Sequence, residues 1–112
     1  MKKLCAFVLA VAAVSAACGP KTGAAPAPLT PEAATTAAAR RPGSTPTSIA
    51  AGHDAFIANC NRCHGYPLLS AIPDEKWPSI LDEMAEKAKL TPEAKRQVLD
   101  FVLAARASEV KQ

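Results

Sequence analysis

The stretch Cys60-Asn61-Arg62-Cys63-His64 decides how the fold of this 112-residue chain is interpreted. On a helical turn, two side chains three residues apart lie on the same face. Cys60 and Cys63 can therefore bond to one flat group together, and His64 is presented from the same side. The residues around this motif must then form a small domain that holds whatever the motif binds.

The spacing C-x-x-C-H is that of the attachment motif for c-type haem. The two cysteines would form thioether bonds to the two vinyl groups of one haem, and His64 would bind its iron. A backbone carbonyl at Pro67 or Pro73 could accept the proton on the other ring nitrogen of His64. The predicted cofactor is one covalent haem c, with iron as its metal.

Three other uses of Cys60 and Cys63 are open from the residues alone. A structural zinc needs four ligands, and the remaining candidate in the domain, His53, lies one helix length away. A thioredoxin-like pair needs a strand before the motif, and no such pattern precedes it. A disulfide between the two cysteines would be strained. Of these uses, haem attachment accounts best for a histidine that directly follows the second cysteine.

Three amphipathic stretches predict an all-α fold. Helices are expected over about 48–61, 74–89 and 91–107, where apolar residues recur every three or four positions. A domain of about 60 residues buries too little surface to be stable without a staple or a cofactor. The sequence therefore predicts a small domain, residues 48–112, with about three helices around one haem.

The N-terminus is predicted to be a signal peptide, residues 1–17. A short positive start is followed by an apolar stretch that is too short to span a bilayer comfortably. Val14-Ser15-Ala16-Ala17-Cys18-Gly19 resembles the lipobox of bacterial lipoproteins, which implies that Cys18 is lipidated. The protein is then expected on the periplasmic face of a bacterial membrane. The alternative is ordinary cleavage after Ala17, which would leave a soluble periplasmic protein.

Residues 18–47 are rich in Pro, Ala and Thr and have almost no large apolar side chains. Such a stretch cannot bury enough surface to offset the entropy lost on ordering. We therefore predict a flexible linker between the anchor and the domain. Within it, Thr30-Pro31-Glu32 is typical of a helix start, and residues 33–41 could form a local helix.

Residues 49–107 resemble the small monohaem cytochrome c family. Gly52 and Phe56 look like the glycine and aromatic residue of its N-terminal helix. Val98-Leu99-Asp100-Phe101-Val102 looks like its C-terminal helix. The resemblance implies that Gly52 permits a close helix crossing against Phe101, and that the protein transfers electrons.

Met84 is the predicted distal iron ligand. Haem used for electron transfer commonly has Met opposite His. The chain has two methionines, and Met1 is expected to leave with the signal peptide, so Met84 is the remaining candidate. The stretch Trp77-Pro78-Ser79-Ile80-Leu81-Asp82-Glu83-Met84 also looks like a cytochrome subgroup in which the ligand Met follows a Trp-containing stretch. Trp77 and Tyr66 are expected to pack on the porphyrin or to bind a propionate. His53 is a rival ligand, but it lies two turns before the motif on the proximal helix.

The predicted function is one-electron transfer, without catalysis by the chain itself. With His64 and Met84 both bound, the iron has no open position for a substrate. The alternatives are a haem-based sensor or ligand-binding domain with a labile sixth ligand, and a thiol–disulfide redox protein. The predicted partners are redox proteins and, through Cys18, the membrane.

The charge pattern argues against nucleic acid as a partner. The formal net charge is +3, and no basic stripe with interleaved aromatic residues is present. The second half of the chain is nearly neutral, so we expect weak electrostatic steering towards charged partners. The excess positive charge lies at Lys2, Lys3, Lys21, Arg40 and Arg41.

Overall fold

The computed structural model of the protein describes residues 22–108, and this part of the chain is mostly helical. Its helices are α1 (Pro31–Ala39), α2 (Pro46–Asn59), α3 (Trp77–Ala88) and α4 (Pro92–Ala107). Two short strands, β1 (Thr22–Gly23) and β2 (Tyr66–Pro67), pair in antiparallel fashion. The predicted all-α class is confirmed at this level. The predicted signal peptide and Cys18 lie outside the described residues.

Helices α1, α2 and α4 begin at the same kind of cap. Thr45 accepts a hydrogen bond from the backbone of Ser48 at 3.0 Å, and the Ser48 hydroxyl accepts one from the backbone of Thr45 at 2.9 Å. This capping box satisfies two backbone donors that α2 would otherwise leave unpaired. Thr30 and Thr91 cap α1 and α4, again with proline at the next position. As a result, α2 begins two residues earlier than predicted.

Helices α2 and α4 cross closely at Gly52, and this crossing forms the centre of the core. A Cβ atom on Gly52 would lie only 1.9 Å from the carbonyl oxygen of Gln97. Phe56 and Phe101 pack beside the crossing, with ring centroids 5.8 Å apart, and both are fully buried. The close approach that the sequence resemblance implied is therefore present.

The described part of the predicted linker, residues 22–47, is packed on the domain, whereas a flexible linker was expected over residues 18–47. Ala34 and Ala37 of α1 are buried in the same core as α2 and α4. Their small side chains let α1 lie close to the other helices, so the packing needs no large apolar residue. The packed domain therefore begins well before residue 48, and within residues 22–108 it has four helices rather than the predicted three.

Helix α3 is tied to the end of α4 by Arg106. This side chain donates to the carboxylate of Asp74 and to the carbonyl of Leu69. Both acceptors belong to short 3-10 turns, Leu69–Ala71 and Asp74–Lys76, which lead into α3. The contacts fix the direction in which α3 leaves the loop.

Among residues 22–108, no helix is long and apolar enough to cross a membrane.

Candidate functional site

Four of the predicted site residues line one cavity. Cys60, Cys63, His64 and Met84 all border a space of about 310 Å³, within the range typical of small-molecule sites. Cys60 is the C-terminal cap of α2, and Met84 belongs to α3. Cys63 and His64 lie in the loop that follows α2. Much of the remaining lining is apolar: Phe56, Pro67, Ile72, Trp77, Ile80, Ala88 and Leu90.

The ring of His64 is oriented by a backbone carbonyl. Its Nδ1 atom lies 2.7 Å from the carbonyl oxygen of Gly65. Because a carbonyl can only accept, Nδ1 carries the proton and the lone pair is left on Nε2. That tautomer suits a metal ligand. The acceptor is neither Pro67 nor Pro73, which the sequence suggested, and the adjacent glycine gave no signal for this role.

The two cysteines differ in their surroundings, and neither is paired in a disulfide. Cys60 is half-buried, and burial raises the pKa of its thiol to about 11. Cys63 is exposed. Reactive thiols have lowered pKa values in electropositive surroundings. Cys60 has the opposite character, so its own thiol is not an activated one.

Met84 lies on the face of α3 that borders the cavity. Ile80, Met84 and Ala88 recur every four residues, and all three line the same space. Trp77, Leu81 and Ala85 form the adjacent buried face. This arrangement places the thioether of Met84 among apolar neighbours, on a different element from His64.

Trp77 lines the cavity and carries a buried N–H group. The residue is 1% exposed, and its Nε1 atom has no hydrogen-bond partner among residues 22–108. A buried donor without a partner costs about 1–3 kcal/mol. Tyr66 differs, because its hydroxyl donates to the carbonyl of Ile57 at 2.9 Å and its ring stacks on Phe56. Of the two predicted propionate partners, Trp77 is therefore the one whose hydrogen-bond donor has no partner among residues 22–108.

The charged residues of the cavity lining are both cationic. Arg62 and Lys87 line it, and no carboxylate of the described residues does. Lys87 also binds Glu83 one turn earlier in α3, at 2.6 Å. The hydrogen bond and the charge of Lys87 hold the pKa of Glu83 below its usual value. Two cations and an apolar wall fit a flat apolar cofactor with acidic substituents.

His53 lies away from the cavity. Its Nε2 atom is 3.0 Å from the carbonyl oxygen of Pro26, and its ring contacts Phe101 edge-on at 5.1 Å. The rival sixth ligand is therefore engaged with the N-terminal segment. In residues 22–108, no three His, Cys, Asp or Glu side chains gather as a metal-binding group.

A larger and more open depression, of about 670 Å³, lies between α1 and the end of α4. It contains none of the predicted site residues, and its lining includes Glu32, Arg40, Arg41 and Asp74. The apolar cavity, not this one, brings the cysteines, histidine and methionine together.

Comparison with known proteins identifies no relative. No protein-family model matches this chain, and neither does a curated protein or a solved structure. The function must therefore be argued from the residues of the cavity themselves.

Proposed function

We propose that the protein is an exported monohaem c-type cytochrome that carries single electrons. Cys60 and Cys63 would hold the haem covalently, and His64 and Met84 would bind its iron. The observation that carries this proposal is that all four side chains line one largely apolar cavity. The motif supplies three of them, whereas Met84 reaches the cavity through the packing of a separate helix.

The chain's own residues have distinct tasks. The proton on Nδ1 of His64 is held by Gly65, which leaves Nε2 directed to metal binding. Ile80, Leu90 and the other apolar residues of the lining would surround the cofactor and limit its contact with water. When bound, haem supplies a one-electron couple between Fe(II) and Fe(III). With His64 and Met84 both engaged, no position is open to a substrate.

The acidic edge of the cofactor has its own partners. Trp77 offers an unused N–H group, and Arg62 and Lys87 offer positive charge at the cavity lining. Hydrogen bonds from these groups to carboxylates are charge-assisted and therefore stronger than neutral ones. They would orient the cofactor about its thioether attachment.

The cellular context proposed here follows from the sequence. The carrier would be held on the periplasmic face of a bacterial membrane by a lipid on Cys18. Its partners would be redox proteins, and nucleic acid would not be among them. The chain would have no enzymatic activity of its own.

Covalent haem attachment is the direct test. The chain is expressed with a cytochrome c maturation system, and the product is analysed by mass spectrometry and by haem staining after denaturing electrophoresis. The expected result is one haem per chain that survives denaturation, and its loss in the variant Cys60→Ala, Cys63→Ala. Cys5→Ala is the matched control, because it removes a cysteine of the predicted signal peptide. A matured chain without bound haem would contradict the proposal.

A further inference from the structure

The start of the described chain is held beside the haem-binding motif. Thr22 pairs with Pro67 and Gly23 pairs with Tyr66 in the β1–β2 ladder. Thr22 also packs so closely on Gly65 that a Cβ atom on that glycine would lie 3.2 Å from the threonine side chain. Gly65 directly follows His64, so β1 lies against the loop that presents the proposed iron ligand.

Contacts along the following residues keep β1 in this position. The Pro26 carbonyl lies 3.0 Å from the ring of His53 on α2. Helix α1 then packs its alanines into the core. Arg41, just after α1, binds Asp100 of α4 at 2.9 Å. The whole segment from β1 to α2 is therefore attached to the domain at several separate points.

This attachment shortens the tether to the membrane. Only three residues separate Cys18 from Thr22, and that stretch spans at most about 14 Å. A free linker over residues 18–47 could instead reach about 100 Å at full extension. The lipid and the haem-binding loop would thus be joined by a short connection at the same end of the molecule.

We infer that the haem side of the domain is held next to the lipid surface, and that the electron-transfer partner is a membrane-bound redox protein whose exchange site lies close to that surface. This inference rests on the proposed function, since it needs both the haem and the anchor at Cys18. The anchored side and the haem side of the domain are the same side, because β1 pairs with the strand that follows the motif. A partner that docks over the haem must therefore present its exchange site close to the membrane surface, as a membrane-bound redox protein does.

Two insertions distinguish a docked segment from a loose linker. A flexible Gly/Ser segment of about 15 residues, which adds roughly 20 Å of reach, is inserted either between Pro20 and Lys21 or between Gly43 and Ser44. The second site is a turn before α2, where the side of Gly43 faces open space. The lipidated haem protein is bound to phosphatidylcholine vesicles that contain a headgroup-labelled fluorescent lipid, and quenching of the fluorophore by haem is measured.

The docked arrangement predicts that the two insertions behave differently. Insertion before Lys21 should lower quenching by about half or more, since it lengthens the free tether, whereas insertion after Gly43 should leave quenching as in the native chain. Equal loss of quenching in both variants would overturn the inference, as would a native protein that quenches no better than the lengthened one or does not float with the vesicles. The Soret absorbance of each sample shows separately whether haem is present, so failure of the proposed function is recognised independently.

Discussion

Arg41 donates two hydrogen bonds to the Oδ1 atom of Asp100, from Nε at 3.1 Å and from Nη2 at 2.9 Å. The other carboxylate oxygen accepts from Arg96 at 3.3 Å. Asp100 is only 4% exposed, so the hydrogen bonds from Arg41 and Arg96 compensate for the burial of its charged carboxylate. The arrangement joins the segment before α2 to α4 across 59 positions of sequence.

Replacing this carboxylate should weaken the domain. Hydrogen bonds to charged groups contribute about 1.5–3 kcal/mol, so we expect Asp100→Asn to lower the free energy of unfolding by about that amount. Asp82→Asn is the control, because its pair with Lys95 is exposed and such pairs contribute about 0–1 kcal/mol. Guanidinium unfolding of the haem protein measures both variants. Equal losses would show that the Asp100 pair does not hold the segment.

Gly52→Ala should destabilise the protein, although the same change in an exposed helix stabilises by roughly 0.5–1 kcal/mol. The added methyl group would lie 1.9 Å from the Gln97 carbonyl, so α2 and α4 must separate, at a cost of about 1–3 kcal/mol. Ala50→Val adds bulk to an exposed position of the same helix and should cost under about 1 kcal/mol. Thermal unfolding of the native protein and both variants shows whether each substitution raises or lowers the stability. A stabilised Gly52→Ala protein would refute the close crossing.

The unpaired Nε1 atom of Trp77 predicts a contact with an acidic edge of the cofactor. Trp77→Phe should remove a charge-assisted hydrogen bond, which contributes about 1.5–3 kcal/mol, and should alter how the reduction potential changes with pH. Tyr66→Phe is the comparison, because its hydroxyl already donates to the Ile57 carbonyl. We expect that variant to keep the native pH profile. Identical profiles in the two variants would exclude the Trp77 contact.

Without haem, the domain should lose much of its helical structure. Ile72, Ile80 and Leu90 line the cavity and are only partly buried, so their apolar surfaces face water if nothing fills it. A chain of this size has little other core to compensate for that loss. Circular dichroism of the variant Cys60→Ala, Cys63→Ala is expected to show reduced helix content. A native helix content would contradict this dependence on the cofactor.

The sequence predicted the helices in which apolar residues recur clearly every three or four positions. It also predicted the four site residues that line the cavity, Cys60, Cys63, His64 and Met84. Helices α2, α3 and α4 lie within a few residues of their expected positions. Periodicity also predicted that Met84 and Trp77 belong to one helix, although the cavity they share with the motif is a property of tertiary packing. The haem itself stays a prediction.

Residues 22–47 differ from the expected flexible linker for a physical reason. Helix α1 packs through alanines, and small side chains carry almost no hydrophobic signal in a sequence. Strand β1 has two residues, and its pairing with Tyr66–Pro67 depends on the loop that follows the motif. Sequence reasoning found the Thr30 cap, but not that the helix it starts is attached to the core.

Met84 provides the most direct test of the central claim, that this is a His/Met-ligated electron carrier. Absorption spectra of the mature protein are recorded in the oxidised and reduced states, with and without carbon monoxide, for the native chain, Met84→Ala and Ile80→Ala. Ile80→Ala is the matched control, since it shortens a neighbouring side chain on the same cavity face. The account predicts a c-type spectrum with a thioether-to-iron charge-transfer band in the red, which Met84→Ala alone abolishes while it admits carbon monoxide. A haem spectrum that Met84→Ala leaves unchanged, or a native reduced protein that binds carbon monoxide readily, would contradict it.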